Sequence, residues 1–191
     1  MSMIAISGML SSLRAKFARF ARDKRGVSAV EFAIILPFMA MLYLGGTAIT
    51  QAIIVKRKVV LVAHTVGDLV ARDNNMTNAE VTAVFDAAKA VFAPYAWNGL
   101  LKIKVTSVNV SAAGTATVGW GESLQDTARA PNASVTLPTG LNAPSTSIIW
   151  TEVSYNFTPP IGGAFTGGTL TLTDQFYIRP RLVTTVTRSA N

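Results

Sequence analysis

The residues with most chemical potential lie at one edge of a long apolar run, in Arg25-Gly26-Val27-Ser28-Ala29-Val30-Glu31-Phe32. Glu31 stands five positions after Gly26 and opens onto Phe32 to Val55, twenty-four residues without a charge. A charged side chain at the centre of a bilayer costs about 2.5–3.5 kcal/mol, so a carboxylate here calls for a compensating group. A cut after Gly26 would supply one. The new α-amino group on Val27 would be a cation at the same depth, able to pair with Glu31 of its own chain or of a neighbour. The competing reading is structural: Gly26 is an ordinary helix-start residue, Glu31 favours the helix N-terminus through the dipole, and the whole is an uncleaved signal anchor.

Elsewhere the chain is poor in reactive groups. His64 is the only histidine, and it falls on a mostly apolar helix, where a packed or interfacial role is expected rather than a catalytic one. The carboxylates after the apolar run are Asp68, Asp73, Glu80, Asp86, Glu122, Asp126, Glu152 and Asp174, and no two share a spacing that specifies acid–base work or a hard metal site. There is no cysteine, so neither a disulfide framework nor a thiolate site is possible. Gly162-Gly163 and Gly167-Gly168 flank a turn rather than a strand-to-helix phosphate loop. The Asn-x-Ser/Thr matches at Asn75, Asn109, Asn132 and Asn156 are expected by chance in so Ser/Thr-rich a chain. The sequence therefore nominates no catalytic residue, no metal ligand and no cofactor. A membrane-tethered hydrolase would lack any nameable nucleophile and base.

The element that must position Gly26 and Glu31 is the apolar run itself. At ~1.5 Å per residue it reaches roughly 36 Å as a helix, enough to cross a hydrocarbon layer of about 30 Å with some tilt. Pro37 and Gly45-Gly46 predict bends within it. The polar residues Thr47, Thr50 and Gln51 demand no transport role, and a single span lines no pathway. The net charge is +7, yet Met1 to Gly26 holds six cations against Asp23, a net of +5 directly before the span. The positive-inside rule accounts for that excess better than nucleic acid does, and it outweighs Lys56-Arg57-Lys58 on the far side. The orientation predicted is N-terminus in the cytoplasm and C-terminal domain outside. Leu13 to Arg22 could form a short basic amphipathic helix or serve as a leader, and Met3 and Met9 are possible internal starts.

Beyond Lys58 the helix is expected to continue to Asp73-Asn74-Asn75, with a stripe to bury at positions 59, 62, 66, 69 and 70. Thr77-Asn-Ala-Glu80 has capping-box spacing, and Val81, Val84, Phe85, Ala88, Val91 and Phe92 make the face of a second helix that Pro94 closes. From about Lys102 alternation predicts antiparallel strands, including Lys102–Val105, Val108–Val110, Thr151–Phe157 and Thr169–Thr173. The phase of the first run slips at Ser107, where a bulge would restore it. Pro131 to Pro144 has no periodicity and reads as a mobile flap. The expected fold class is α+β: a long N-terminal helix, membrane-spanning in its first half, and a second helix against a small antiparallel sheet. The expected divisions are a basic cytoplasmic leader (1–26), a transmembrane helix (27–58) and a periplasmic α+β domain (59–191).

The Gly26-to-Glu31 spacing is similar to the type IV prepilin pattern, in which a membrane-embedded prepilin peptidase cuts after glycine and leaves glutamate at position five. More narrowly, Gly26-Val-Ser-Ala-Val-Glu31-Phe-Ala-Ile-Ile-Leu-Pro37 resembles the TadE-like proteins, pseudopilins of the bacterial tight-adherence (Flp pilus) systems. Tyr155-Asn-Phe-Thr-Pro159 and Phe176-Tyr-Ile-Arg179-Pro-Arg181 look like the end of that family's periplasmic domain, while residues 71–150 are not diagnostic. The resemblance implies a pilin-like fold and cleavage between Gly26 and Val27. Glu31 would register subunits, and the partners would be a prepilin peptidase, other pilins or pseudopilins, the pilus assembly platform and the inner membrane. Phe32 departs from the tyrosine usual in the major pilins of this class, and the large C-terminal domain also points to a minor component. Arg179 and Arg181 flank Pro180 on a strand-like run and face the same way, which suits acidic groups of a partner, a solvated basic face, or an internal ion pair to Asp174. The alternative reading is an uncleaved single-span periplasmic anchor whose exposed loops bind ligand or cell wall.

Overall fold

The computed structural model describes residues 25–160 and 168–189. The leader, with the Leu13–Arg22 helix expected in it, and the Gly162-Gly163 turn lie outside the described residues. The fold is α+β, with a long apolar N-terminal helix, a second helix and a small antiparallel sheet. Two compact units divide at Gly46/Thr47. Helix α1 (Arg25–Ala71, 47 residues) runs unbroken through that boundary, with Pro37 and Gly45-Gly46 inside it. It is long and apolar enough to cross a membrane.

In the first unit the large apolar side chains of α1 other than the half-buried Leu44 are exposed, from Leu36 at 50% to Leu42 at 77%, and no residue of the most apolar window is buried. In the second unit, α1 supplies Val55, Val59, Val62, Ala63, Val66 and Val70 to the core, each at most 1% exposed. The core thus reaches back along α1 to Val55, ahead of Lys56. Leu69, expected in the buried stripe, is 38% exposed. It lies about 100° round the helix from Val70, at the flank of the stripe, and Ala63 takes the inward place instead.

Strand β1 (Asn75–Met76) leads into α2 (Asn78–Phe92), whose start is the predicted capping box. The Thr77 N–H donates to Glu80 Oε2 at 2.6 Å, and the Glu80 N–H donates to Thr77 Oγ1 at 3.3 Å. Phe85, Ala88 and Phe92 are its buried face. Strands β2 (Leu101–Val110), β3 (Ala116–Leu124), β4 (Thr146–Phe157) and β5 (Leu170–Ile178) form an antiparallel sheet in the order β3-β2-β4-β5. Strand β6 (Thr187–Arg188) pairs in parallel with β1.

Both faces of this sheet carry apolar cores. Leu101, Ile103, Val105, Ile149, Val153, Tyr155 and Phe157 pack with the helices. Val108, Val110, Ile148 and Trp150 form a second cluster with Ala116 and Leu137 on the opposite face. A register shift falls at the expected place, Ser107/Val108, but β2 does not carry the extra residue. Its register with β4 is continuous from Leu101↔Tyr155 to Val110↔Thr146, so β2 itself is regular. The shift at Ser107/Val108 is against β3 only, where Ser107 faces Trp120 and Val108 faces Val118, which leaves Gly119 as the extra residue. The hydrophobic phase changes because the burying face changes.

The expected flap is also corrected, because residues 131–144 are pinned at their start. Ala133 O accepts from the Val118 N–H at 2.9 Å, the Val135 N–H donates to Ala116 O at 3.1 Å, and Leu137 is 5% exposed. The segment covers the free edge of β3 and roofs the second cluster. Gly121 permits this approach: a Cβ there would lie 2.6 Å from Arg129 O.

Candidate functional site

Gly26 and Glu31 both lie within α1, and the helix gives the glycine no reason of its own. A Cβ built at Gly26 meets nothing within 4 Å, and Gly26 is absent from the positive-φ glycines. Alanine would favour the helix there by about 1 kcal/mol. Val27 is 57% exposed. Glu31 is exposed and has no hydrogen bond or ion pair among the described residues. It is six residues past Arg25, beyond the first turn in which the helix dipole acts, so that account of the carboxylate weakens. Val27 and Glu31 are i and i+4, on one face of the helix.

The second unit treats its carboxylates differently, giving each an intrachain role. Asp174 pairs with Lys56 at 3.0 Å, Asp86 with Lys89 at 2.9 Å, Asp126 with Lys104 at 3.3 Å and Glu122 with Arg188 at 2.8 Å. Glu152 holds Arg129, whose guanidinium lies 3.7 Å from the centre of the Trp150 ring. Glu80 closes the capping box, and Asp73 Oδ1 accepts from the Asn74 N–H at 2.8 Å. Among the described residues no three of His, Cys, Asp and Glu gather as a metal site. His64 is exposed, with its ring 4.0 Å from that of Phe176.

Asp68 settles the position of Arg181. Its two oxygens receive Arg72, one turn on, and Arg181 from the tail, whose own N–H donates to Ala71 O at 2.8 Å. Of the three readings open for Arg179 and Arg181, the internal ion pair to Asp174 does not form. Arg181 has Asp68, and Asp174 has Lys56. Nor do the two arginines share a strand, for β5 ends at Ile178, ahead of Pro180, which has no N–H to continue the ladder. Arg179 is exposed and makes no ion pair among the described residues.

Sequence reasoning read Lys56-Arg57-Lys58 as a charge fence after the span. The structure turns two of the three inward. Lys56 reaches Thr173 O as well as Asp174, and Lys58 donates to Val91 O at 2.9 Å and Ala93 O at 3.2 Å, satisfying carbonyls at the end of α2. Asp174 is 118 positions from Lys56, and no local pattern pairs them. No family model, curated protein or solved structure matches the chain.

Proposed function

We propose that this chain is a minor pseudopilin that helps initiate, cap or assemble a tight-adherence (Flp-type) pilus, with no catalysis of its own. A prepilin peptidase cuts it between Gly26 and Val27. The span lies in a bacterial inner membrane with the N-terminus cytoplasmic and the α+β domain periplasmic, before or during incorporation in a filament. The observation that carries this reading is a pair. A glycine with neither a packing nor a conformational role among the described residues precedes, by five positions, a carboxylate without a partner among them, on the apolar and exposed first part of α1. A peptidase that requires a small residue before its cut explains the glycine, and the new Val27 amine explains the carboxylate. The exposed apolar face then packs first against lipid and later against neighbouring helices.

Expression in a host with its prepilin peptidase tests the reading. The mature mass should begin at Val27, and recovery of the full-length chain would favour the uncleaved anchor. Gly26→Ala should block cutting. Glu31→Gln should be cut normally yet fail to support pili; normal pili from that variant would break the pairing argument.

A further inference from the structure

We infer that a cavity in the second unit, between α1 at Gln51 and the end of β4, binds an uncharged, hydroxyl-rich ligand of the saccharide class. The cavity measures about 390 Å³, and Gln51, Tyr95, Leu100, Tyr155, Asn156 and Phe157 line it. Its walls are fixed from behind. The Phe92 ring lies 4.6 Å from that of Tyr155 and 5.7 Å from that of Tyr95, and the Asn156 N–H donates to Leu100 O at 3.1 Å.

Three features select the ligand. Tyr155 is 5% exposed, lines the cavity and makes no hydroxyl hydrogen bond among the described residues, so its O–H is offered to an occupant. Burial, with Tyr95 beside it, pushes its phenol above the ordinary value, which keeps it a neutral donor. An amide adds to it: Gln51, on α1, lines the cavity and makes no bond among the described residues, whereas the Asn156 side chain, on the opposite face of β4 from Tyr155, pairs with Thr171 and contributes only backbone.

Among the described residues no charged side chain lines the cavity, and the Lys58 ammonium, two turns along α1 from Gln51, is engaged by Val91 O and Ala93 O. An anion would thus find no counter-charge. An alkyl chain would leave the buried phenol and the Gln51 amide unpaired. A sugar ring presents an apolar face to the Tyr and Phe rings and hydroxyls to the phenol and the Gln51 amide. Gln51 falls within the 27–58 segment expected to span the membrane, but the assignment is tested apart from the pilus reading, since it is read by ligand binding and not by cleavage or pili.

The test uses the full chain in a detergent without a sugar headgroup, because a glycosidic detergent would compete. Two probes separate the sources of a saccharide: chitotetraose in solution, and vesicles of phosphatidylglycerol containing monoglucosyl diacylglycerol, each followed by saturation-transfer NMR. We expect saturable binding of at least one probe. Tyr155→Phe, which keeps the ring against Phe92, should weaken it by about three- to ten-fold, and Gln51→Ala by a similar factor. Gln175→Ala, outside the cavity, should leave it unchanged. The inference is overturned if neither probe saturates up to about 10 mM, a concentration at which weak association registers. It is equally overturned if Tyr155→Phe binds as tightly as the unaltered chain, or if vesicles bind alike with and without the glucosyl lipid while chitotetraose does not bind.

Discussion

One helix, α1, is built under two different sets of rules. Before Thr47 all its large apolar side chains but the half-buried Leu44 are exposed, its glycines meet open space and its only carboxylate has no partner among the described residues. After Thr47 five of its six valines are buried, Val60 being the exception, Gly67 is crowded by Phe176 and Thr151, and Asp68, Lys56 and Lys58 are all engaged. Hydropathy alone does not separate these halves, for both are apolar. What separates them is whether the chain itself supplies the neighbours. The second half buries one stripe by intrachain packing, with Ile49, Ile53, Ile54 and Leu61 on its other side still exposed, while the first presents a surface and a charge that only lipid or other chains can complete.

The sharpest way to break this contrast is to truncate the same residue type on either side of it. Phe92 is fully buried and Phe38 is 65% exposed. Phe92→Ala should destabilise the second unit by about 3–5 kcal/mol, read by thermal unfolding in near-ultraviolet circular dichroism. Phe38→Ala should leave that transition in place. A comparable loss from Phe38→Ala would mean that the first unit contributes to the stability of the second, and the division at Gly46/Thr47 would lose its meaning.

Much of this was legible wherever the cause is local. The capping box needs only Thr77 and Glu80 three residues apart, and the alternation of β2 and β4 marks their pleat. Legibility failed where the cause was a distant partner. In β2 the change of buried side at Val108 looked like a slipped phase because its reason, Leu137 and the segment roofing the outer face, is supplied by chain far along the sequence. Lys56 looked like a membrane flank because Asp174 is 118 positions away. The cavity joins segments at Gln51, at Tyr95 to Leu100 and at Tyr155 to Pro160, and nothing in any one segment announces the others. Gly26 and Glu31 were legible for the opposite reason. The structure offers them no distant partner among its described residues, so their spacing is all there is to read.

Glycines sharpen the same comparison with a smaller effect. A Cβ at Gly67 would lie 2.7 Å from Phe176 Cδ1, whereas one at Gly45 meets nothing within 4 Å. Gly67→Ala should cost about 1–3 kcal/mol as the Phe176 ring is pushed from its place beside His64. Gly45→Ala should not lower the unfolding temperature, since alanine favours an unobstructed helix. If the Phe176 ring swings aside freely, the helix propensity of alanine prevails at Gly67 too, and equal midpoints for the two variants would show that α1 is less tightly seated than its burial implies.

The smallest effect is the response to acid, and it tests whether the engaged carboxylates of the second unit add stability at all. The Thr77 N–H and hydroxyl, donating to the Glu80 carboxylate, hold its pKa below the ordinary value, and the Thr127 N–H does the same for Asp126, with help from Lys104. A folded pKa below the unfolded one means that the folded state releases the proton more readily. The contribution is therefore present above the unfolded pKa and is lost as pH falls through the folded one. The unfolding midpoint should thus hold level from neutral pH to about pH 5 and decline below it. Glu80→Gln should begin from a slightly lower midpoint and decline less, because glutamine keeps part of the cap without the titrating charge. Thr77→Ala should lower the midpoint similarly and flatten the same part of the profile, since it removes the hydroxyl that both accepts from the Glu80 N–H and donates to its carboxylate. If both variants decline as steeply as the unaltered chain, the Glu80 cap is not the source of the acid response. The capping box, the local signal most plainly written in the sequence, would then fix where α2 begins without its charge adding to the stability of the second unit.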